Sequence, residues 1–221
     1  MNLSRNGAST DNLTSLTDLA VHIPGVLEAA DDALIRHSVS AMTQTKDRCM
    51  AILFQLEDFA ASRFGGEFRP DPELLDITLF QRFHRLCGDM TFPQAFQFET
   101  FIVAYVQTLY WLCLCFVQAT LLSLLRFVPD AHSADMMQTT GANILRNIHN
   151  LCRTIPYFCE PNAGSIGLFA TFMPLTFAST FFENQNMHTE LRWCRSVSTA
   201  IYSHGIAPPF HQLKTGDAST L

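Results

Sequence analysis

Apolar residues recur every three or four positions along most of the chain, the spacing of one buried face of an α-helix. Pro and Gly clusters such as Pro24-Gly25 separate these stretches. The pattern predicts helices over about 12–23, 26–64, 73–87, 93–127, 134–155, 166–182 and 189–202. No stretch alternates apolar and polar residues for long enough to predict a strand.

The predicted fold class is therefore all-α, a single compact domain of about six to seven helices around a central hydrophobic helix. We assign residues 12–206 to this domain. Residues 1–11 are rich in Asn, Ser, Thr and Gly, and we expect a flexible N-terminus there, with a flexible tail at 207–221. Proline at position 174 predicts a bend within the 166–182 helix.

Two uncharged segments, 100–125 and 161–182, are long enough to cross a bilayer. The alternative is a buried core helix that is apolar on nearly all sides. Gln107 and Gln118 lie eleven positions apart, on one helix face, which suits the interior of a helical bundle better than lipid. Flanking Lys and Arg are too sparse to set an orientation. We therefore predict a water-soluble core helix and no membrane insertion.

The composition limits the possible functions. Hydrophobic residues make up 48% of the chain and charged residues only 15%, which excludes disorder over the whole chain. The net charge of −6 argues against direct nucleic-acid binding, because a phosphate backbone demands a basic face. Most of the seven cysteines lie in apolar helical patterns, so we interpret them as buried, reduced thiols of an intracellular protein.

The sequence offers little catalytic chemistry. The eight histidines and seven cysteines show no metal-ligand spacing, so we predict no metal and no cofactor. The glycines at 65–66 and 164–167 lack the Lys-Ser/Thr that completes a phosphate loop. His84 and His149 fall beside apolar helical positions, where a histidine at the margin of the core is the simpler interpretation.

Aromatic residues leave one binding hypothesis open. Nineteen Phe residues and several Tyr and Trp residues crowd the predicted helices. Such a core either closes completely or leaves an apolar cavity with a few polar groups. For the second case, the predicted pocket is lined by Tyr105, Gln107, Trp111, Gln118 and Phe172.

The second half of the chain resembles a known family. A helix with Tyr110-Trp111 is followed by ANILRNIHNLCRTIPYF, a glycine-bearing turn, an apolar helix with Pro174-Leu175, and a closing helix with Arg192-Trp193 that ends near His204-Gly205-Ile206. Over about 100–206 this order resembles the C-terminal part of the regulatory domain of fungal zinc-cluster transcription factors. The Cys-x2-Cys-x6-Cys spacing of the zinc cluster and its basic linker are absent.

The resemblance implies an all-α regulatory domain without its DNA-binding module, located in the nucleus, with the cytoplasm as the alternative. It would act through other transcription regulators, self-association or an apolar small molecule, in the control of a secondary-metabolite gene cluster. The alternative function is a cofactor-independent cyclase or isomerase of secondary metabolism. Its candidate catalytic residues are His84, His149 and Gln107, which could position a substrate and transfer protons.

Overall fold

The computed structural model describes residues 13–64, 72–128 and 133–203; the predicted flexible ends, and the domain limits at 12 and 206, lie outside these ranges. The first helix, α1, covers residues 13–20. The remaining elements in chain order are α2 (Ile23–Ile35), α3 (Val39–Phe64), β1 (Glu73–Asp76), α4 (Gln81–Leu86), β2 (Gln94–Gln97), α5 (Phe101–Leu125), α6 (Ser133–Cys159), α7 (Gly164–Ala170), α8 (Phe172–Asn184) and α9 (His188–Tyr202).

Helix α5 lies at the centre and packs on α6, α3 and α2. Its sequence is apolar on nearly all sides, so it can be buried by several neighbours at once. The hydroxyl of Thr108 is buried and donates to the carbonyl oxygen of Ala104, four residues earlier, at 2.7 Å. Thr100 caps the helix, with its hydroxyl oxygen accepting from the Val103 N–H at 3.3 Å. The predicted all-α fold around a central hydrophobic helix is confirmed.

A small antiparallel ribbon replaces part of two predicted helices. β1 pairs with β2 so that Glu73 faces Gln97 and Asp76 faces Gln94. The spacing of Leu75, Leu79 and Phe83 predicted a helix from 73 to 87, which is wrong over its first half. The Asp76 carboxylate accepts from the Thr78 N–H at 2.9 Å and from its hydroxyl at 2.6 Å. This local turn competes with helical hydrogen bonding and starts a short 3₁₀ turn instead.

The central helix begins later than predicted. It starts at Phe101, whereas the sequence predicted a start at about residue 93. Phe96 lies in β2 and stacks on Trp111, with ring centroids 5.4 Å apart. Phe98 follows β2 and meets Tyr157 edge to face at 5.2 Å. Both phenylalanines are therefore core residues, but they reach the core from outside the helix.

Three other differences from the predicted helices occur at or near prolines. Pro24 lies in the first turn of α2, where a missing N–H costs nothing, so the Pro24-Gly25 pair starts a helix and does not end one. Pro156 is buried inside α6, which continues to Cys159 beyond the predicted end at 155. The 166–182 segment divides at Thr171 into α7 and α8, and Pro174 lies in the first turn of α8.

The predicted helix from 26 to 64 divides into α2 and α3. The break covers residues 36–38, where His37 has a positive φ of 50°. The His37 N–H donates to the Leu34 carbonyl and the Ser38 N–H donates to the Ala33 carbonyl, which closes α2. The two helices pack on each other across this turn. The last helix, α9, agrees with its predicted bounds to within one residue.

Glu160 joins two distant parts of the fold. Its Oε1 atom accepts from the backbone N–H groups of Arg82, at 2.8 Å, and Phe83, at 3.0 Å. These N–H groups belong to the first turn of α4. The N–H groups of a first turn have no carbonyl partner within their own helix. The carboxylate therefore ties the end of α6 to α4 and places a negative charge at the positive end of that helix.

Replacing Glu160 with alanine is expected to lower the free energy of unfolding by about 1.5–3 kcal/mol, the range for hydrogen bonds to a charged group. Glu160→Gln keeps an acceptor oxygen, so a smaller loss is expected. Urea unfolding followed by circular dichroism measures both. The control is Glu183→Ala, which removes only an exposed ion pair with Arg195 and should change stability by less than about 1 kcal/mol. Equal losses at positions 160 and 183 would contradict the capping role.

Candidate functional site

Two of the predicted pocket residues belong to the packed core. Trp111 is buried and stacks on Phe96. Gln118 is also buried, and its Oε1 atom accepts from Nδ2 of Asn147 on α6 at 3.1 Å. This pair satisfies a buried amide and holds α5 against α6 in one register. Asn147 was not predicted as its partner.

The other three predicted pocket residues are more exposed. Tyr105 is 39% exposed and stacks on Phe101 at 6.0 Å. Gln107 is half-buried on α5, and Phe172 is half-buried on α8. Phe172 contacts Phe169 and Tyr202. Two surface grooves of about 450 Å³ and 280 Å³ lie along α2 and α3, and none of the five predicted residues lines either of them.

The proposed catalytic histidines occupy different environments. His84 is exposed on α4. The hydrogen bonds from Thr78 lower the pKa of Asp76, and the positive charge of His84 contributes to the same shift. His149 is half-buried on α6, where burial lowers its pKa, Arg153 lowers it further and Glu190 opposes the shift.

His149 is part of an aromatic cluster, which we define as Phe83, Phe92, His149, Phe182 and Trp193. Phe92 packs edge to face against Trp193 at 4.7 Å and against His149 at 5.5 Å. Phe182 lies 6.1 Å from His149 on the same cluster. Nε2 of His149 and Nε1 of Trp193 are both buried and have no hydrogen-bond partner in the described part of the chain. The neutral imidazole therefore suits this cluster better than the charged one.

Stability is expected to fall as the pH decreases through the ordinary pKa of histidine, near 6.5. Since burial lowers the pKa of His149 in the folded state, the unfolded chain binds the proton more tightly in that window. The stabilisation is thus fully present above about pH 6.5 and decreases below it, until the folded-state pKa is passed. The urea concentration at the midpoint of unfolding, measured between pH 7.5 and 5, gives the slope of stability against pH.

His149→Phe should reduce this slope, because it removes the titrating group and keeps an aromatic ring. The matched control is His188→Gln on α9, which removes an exposed histidine and should leave the slope as it is. A slope that is equal in all three proteins would contradict the assignment to His149.

The seven cysteines are all buried and free, as predicted for buried thiols. Burial raises the pKa of Cys49 and Cys113 to about 11 and that of Cys159 to about 12. The pKa of Cys152 is raised as well, because it is fully buried next to Cys194. A thiol with so high a pKa carries almost no thiolate at neutral pH, so these residues are poor nucleophiles.

An exposed apolar surface lies on α7 and α8. We define the α7–α8 surface as Ile166, Phe169, Phe172 and Met173. Ile166 is 65% exposed, Phe169 55% and Met173 51%, and their spacing of three and four places them on one side of the helical segment. No charged residue occurs between Glu160 and Glu183. Large exposed apolar patches mark sites of contact with proteins or membranes.

Two glycines hold α7 in its position. Gly164 begins the helix with a φ of +64°, in the left-handed region that favours glycine. A Cβ atom on Gly167 would collide with the backbone carbonyl of Phe158 and with Cβ of Ala163. Helix α7 therefore lies directly against the end of α6, and this contact presents Ile166 and Phe169 outward.

Within the described ranges, Phe101–Leu125 and Ile166–Asn184 are long and apolar enough to cross a membrane by length and composition. Of their most apolar windows, 61% of the first and 39% of the second is buried inside the fold. The core helix of a water-soluble protein meets the same criteria, and α5 packs on α6, α3 and α2. The absence of membrane insertion stays a prediction.

Comparisons of the chain with models of protein families, with curated proteins and with solved structures found no match. Among the residues that the structure describes, no three His, Cys, Asp or Glu side chains form a group that could hold a metal ion. The α7–α8 surface is thus the candidate functional site with the clearest physical basis, and sequence reasoning identified only its Phe172. The regular spacing of apolar residues in an uncharged segment was the available signal.

Proposed function

We propose that this chain is a non-enzymatic helical regulatory domain that binds another protein through the α7–α8 surface. We infer a role in the regulation of transcription from the resemblance to the regulatory domains of fungal zinc-cluster transcription factors. The partner is another transcription regulator or a second copy of the chain, and the site of action is the nucleus. The observation that carries the proposal is the exposure of three large apolar side chains on one uncharged helical surface.

Two further observations support a binding role. The predicted catalytic side chains have unlike surroundings, with His84 exposed on α4 and His149 packed within the aromatic cluster. Buried thiols with raised pKa values offer no ready nucleophile. Burial of Ile166, Phe169 and Met173 against a partner would contribute roughly 25 cal/mol for each Å² of apolar area removed from water.

The test is a tethering assay in fungal cells. The chain is fused to an unrelated DNA-binding domain, and transcription from a reporter with the matching site is compared with that of the DNA-binding domain alone. A regulatory domain is expected to raise or lower reporter transcription. Equal transcription with and without the chain would overturn the proposal.

A pair of variants separates the surface from the rest of the fold. Ile166→Ser combined with Met173→Ser removes two exposed side chains and is expected to abolish the reporter effect. The control is Phe54→Ser on α3, which removes an apolar side chain that is 71% exposed elsewhere and should keep the effect. Thermal unfolding confirms that all variants fold. If the control loses the effect and the double variant keeps it, the α7–α8 surface is not the contact site.

A further inference from the structure

A groove of about 450 Å³ lies between α1, α2 and α3, and the α7–α8 surface and the predicted pocket contribute none of its described lining residues. Its accessible apolar lining comes from Leu19 and Ala51, and the side chains of Val26 and Ile52 beside them are buried. Its volume is within the range of small-molecule sites, roughly 300–1,000 Å³. The groove is open to solvent, so a ligand can enter without a conformational change.

Two opposite charges also line this groove. Asp18 of α1 and Arg48 of α3 are both exposed, and neither forms a salt bridge or a side-chain hydrogen bond within the described residues. Arg36, near the second groove, differs because it is paired with Asp32 at 3.0 Å. The larger groove therefore offers one free guanidinium, one free carboxylate and an apolar lining.

We propose that this groove binds a free apolar α-amino acid. The carboxylate of the amino acid pairs with the guanidinium of Arg48, its ammonium group pairs with the carboxylate of Asp18, and its side chain packs on Leu19 and Ala51. Charge-assisted hydrogen bonds of this kind are about twice as strong as neutral ones. The imidazole of His22 and the amide of Gln55 on the same groove supply further hydrogen bonds.

The two unpaired charges decide the ligand class. A purely apolar ligand would cover Asp18 and Arg48 without replacing their hydration, which is unfavourable. A monoanion would pair with Arg48 alone and would place its negative charge near the negative charge of Asp18. A zwitterion with an apolar side chain is the simplest small molecule that satisfies all three parts of the groove. This inference does not rest on the proposed regulatory function, because binding is measured on the purified chain.

The experiment is isothermal titration of the full chain with L-phenylalanine and L-leucine. N-acetyl-L-phenylalanine, which lacks the ammonium group, and L-phenylalaninamide, which lacks the carboxylate, serve as matched ligands. Saturable binding of a free amino acid is expected, with each analogue weaker by about tenfold or more, the effect of losing one hydrogen bond to a charged group. No saturable binding of either amino acid would overturn the proposal.

Two variants test which charged group of the ligand each side chain binds. Arg48→Gln should lower the affinity for L-phenylalanine by about tenfold or more and leave the affinity for L-phenylalaninamide unchanged. Asp18→Asn should lower the affinity for L-phenylalanine by a similar factor and leave the affinity for N-acetyl-L-phenylalanine unchanged. Arg146→Gln on α6 is the control, since this exposed arginine lies on another helix. Equal affinity for L-phenylalanine in the wild type and in both groove variants would refute the site, whatever the reporter assay shows.

Discussion

Replacing Gly167 with alanine is expected to destabilise the fold by about 3 kcal/mol, the upper part of the usual range for overpacking a closed site. The added Cβ would meet the carbonyl oxygen of Phe158 and the Cβ of Ala163. The first of these belongs to the backbone of α6, which cannot rotate away as a flexible side chain could. Helix α7 would have to move away from α6. Chemical denaturation followed by circular dichroism measures the loss.

Gly141 provides the matched control for this substitution. It lies inside α6, and a Cβ atom there has nothing within 4 Å. Because alanine favours the helical state by about 1 kcal/mol over glycine, Gly141→Ala should leave stability unchanged or raise it. If both alanine variants were equally stable, the close contact between α7 and α6 would not exist in solution. The position of α7 also sets the α7–α8 surface, so Gly167→Ala should weaken the reporter effect.

Trp193→Ala is expected to lower the free energy of unfolding by about 3–5 kcal/mol, the range for removing a large aromatic side chain from a core. Trp193 is fully buried on α9 and contacts both Phe92 and Phe83. Its removal would leave a cavity where α4, α6 and α9 meet. Urea unfolding measures this loss. The fluorescence of Trp111, the other tryptophan of the chain, still reports on the fold.

Trp193→Phe tests the same site more finely. Phenylalanine keeps most of the packing and removes the buried indole N–H, which has no hydrogen-bond partner in the described residues. We therefore expect a loss well below that of the alanine variant, because an unpaired donor is no longer buried. Phe54→Ala, at an exposed position, should change stability by less than about 0.5 kcal/mol. A Trp193→Ala loss as small as that of Phe54→Ala would show that the cluster is not part of the stable core.

The two proposed binding surfaces can be tested independently. The α7–α8 surface is uncharged and apolar, which suits a macromolecular partner. The groove between α1, α2 and α3 is concave and carries the exposed charges of Asp18 and Arg48, which suits a small polar molecule. Failure of the amino-acid titration would leave the tethering result unaffected, and the reverse also holds.

Local patterns in the sequence predicted which segments are mainly helical but not where most of the helices begin and end. The apolar spacing predicted α9 to within one residue and predicted that the helix at about 93–127, which the structure begins at Phe101, would be the centre of the fold. This succeeds because a buried helical face requires apolar residues three and four positions apart, whatever packs on it. The burial of the cysteines followed from the same spacing. The residues of the α7–α8 surface were not predicted in this way, since only Phe172 was among the predicted pocket residues.

Tertiary contacts decided the remaining features. The ribbon of β1 and β2 depends on pairing between segments about twenty residues apart, and the cap of α4 depends on Glu160, which is 77 and 78 residues away from its partners. Gln118 proved to be half of a buried pair with Asn147, and Asp18 and Arg48 line one groove although thirty positions separate them. Periodicity describes only which residues face inward on one element. Which elements meet, and which polar groups they bring together, is determined by packing between distant segments.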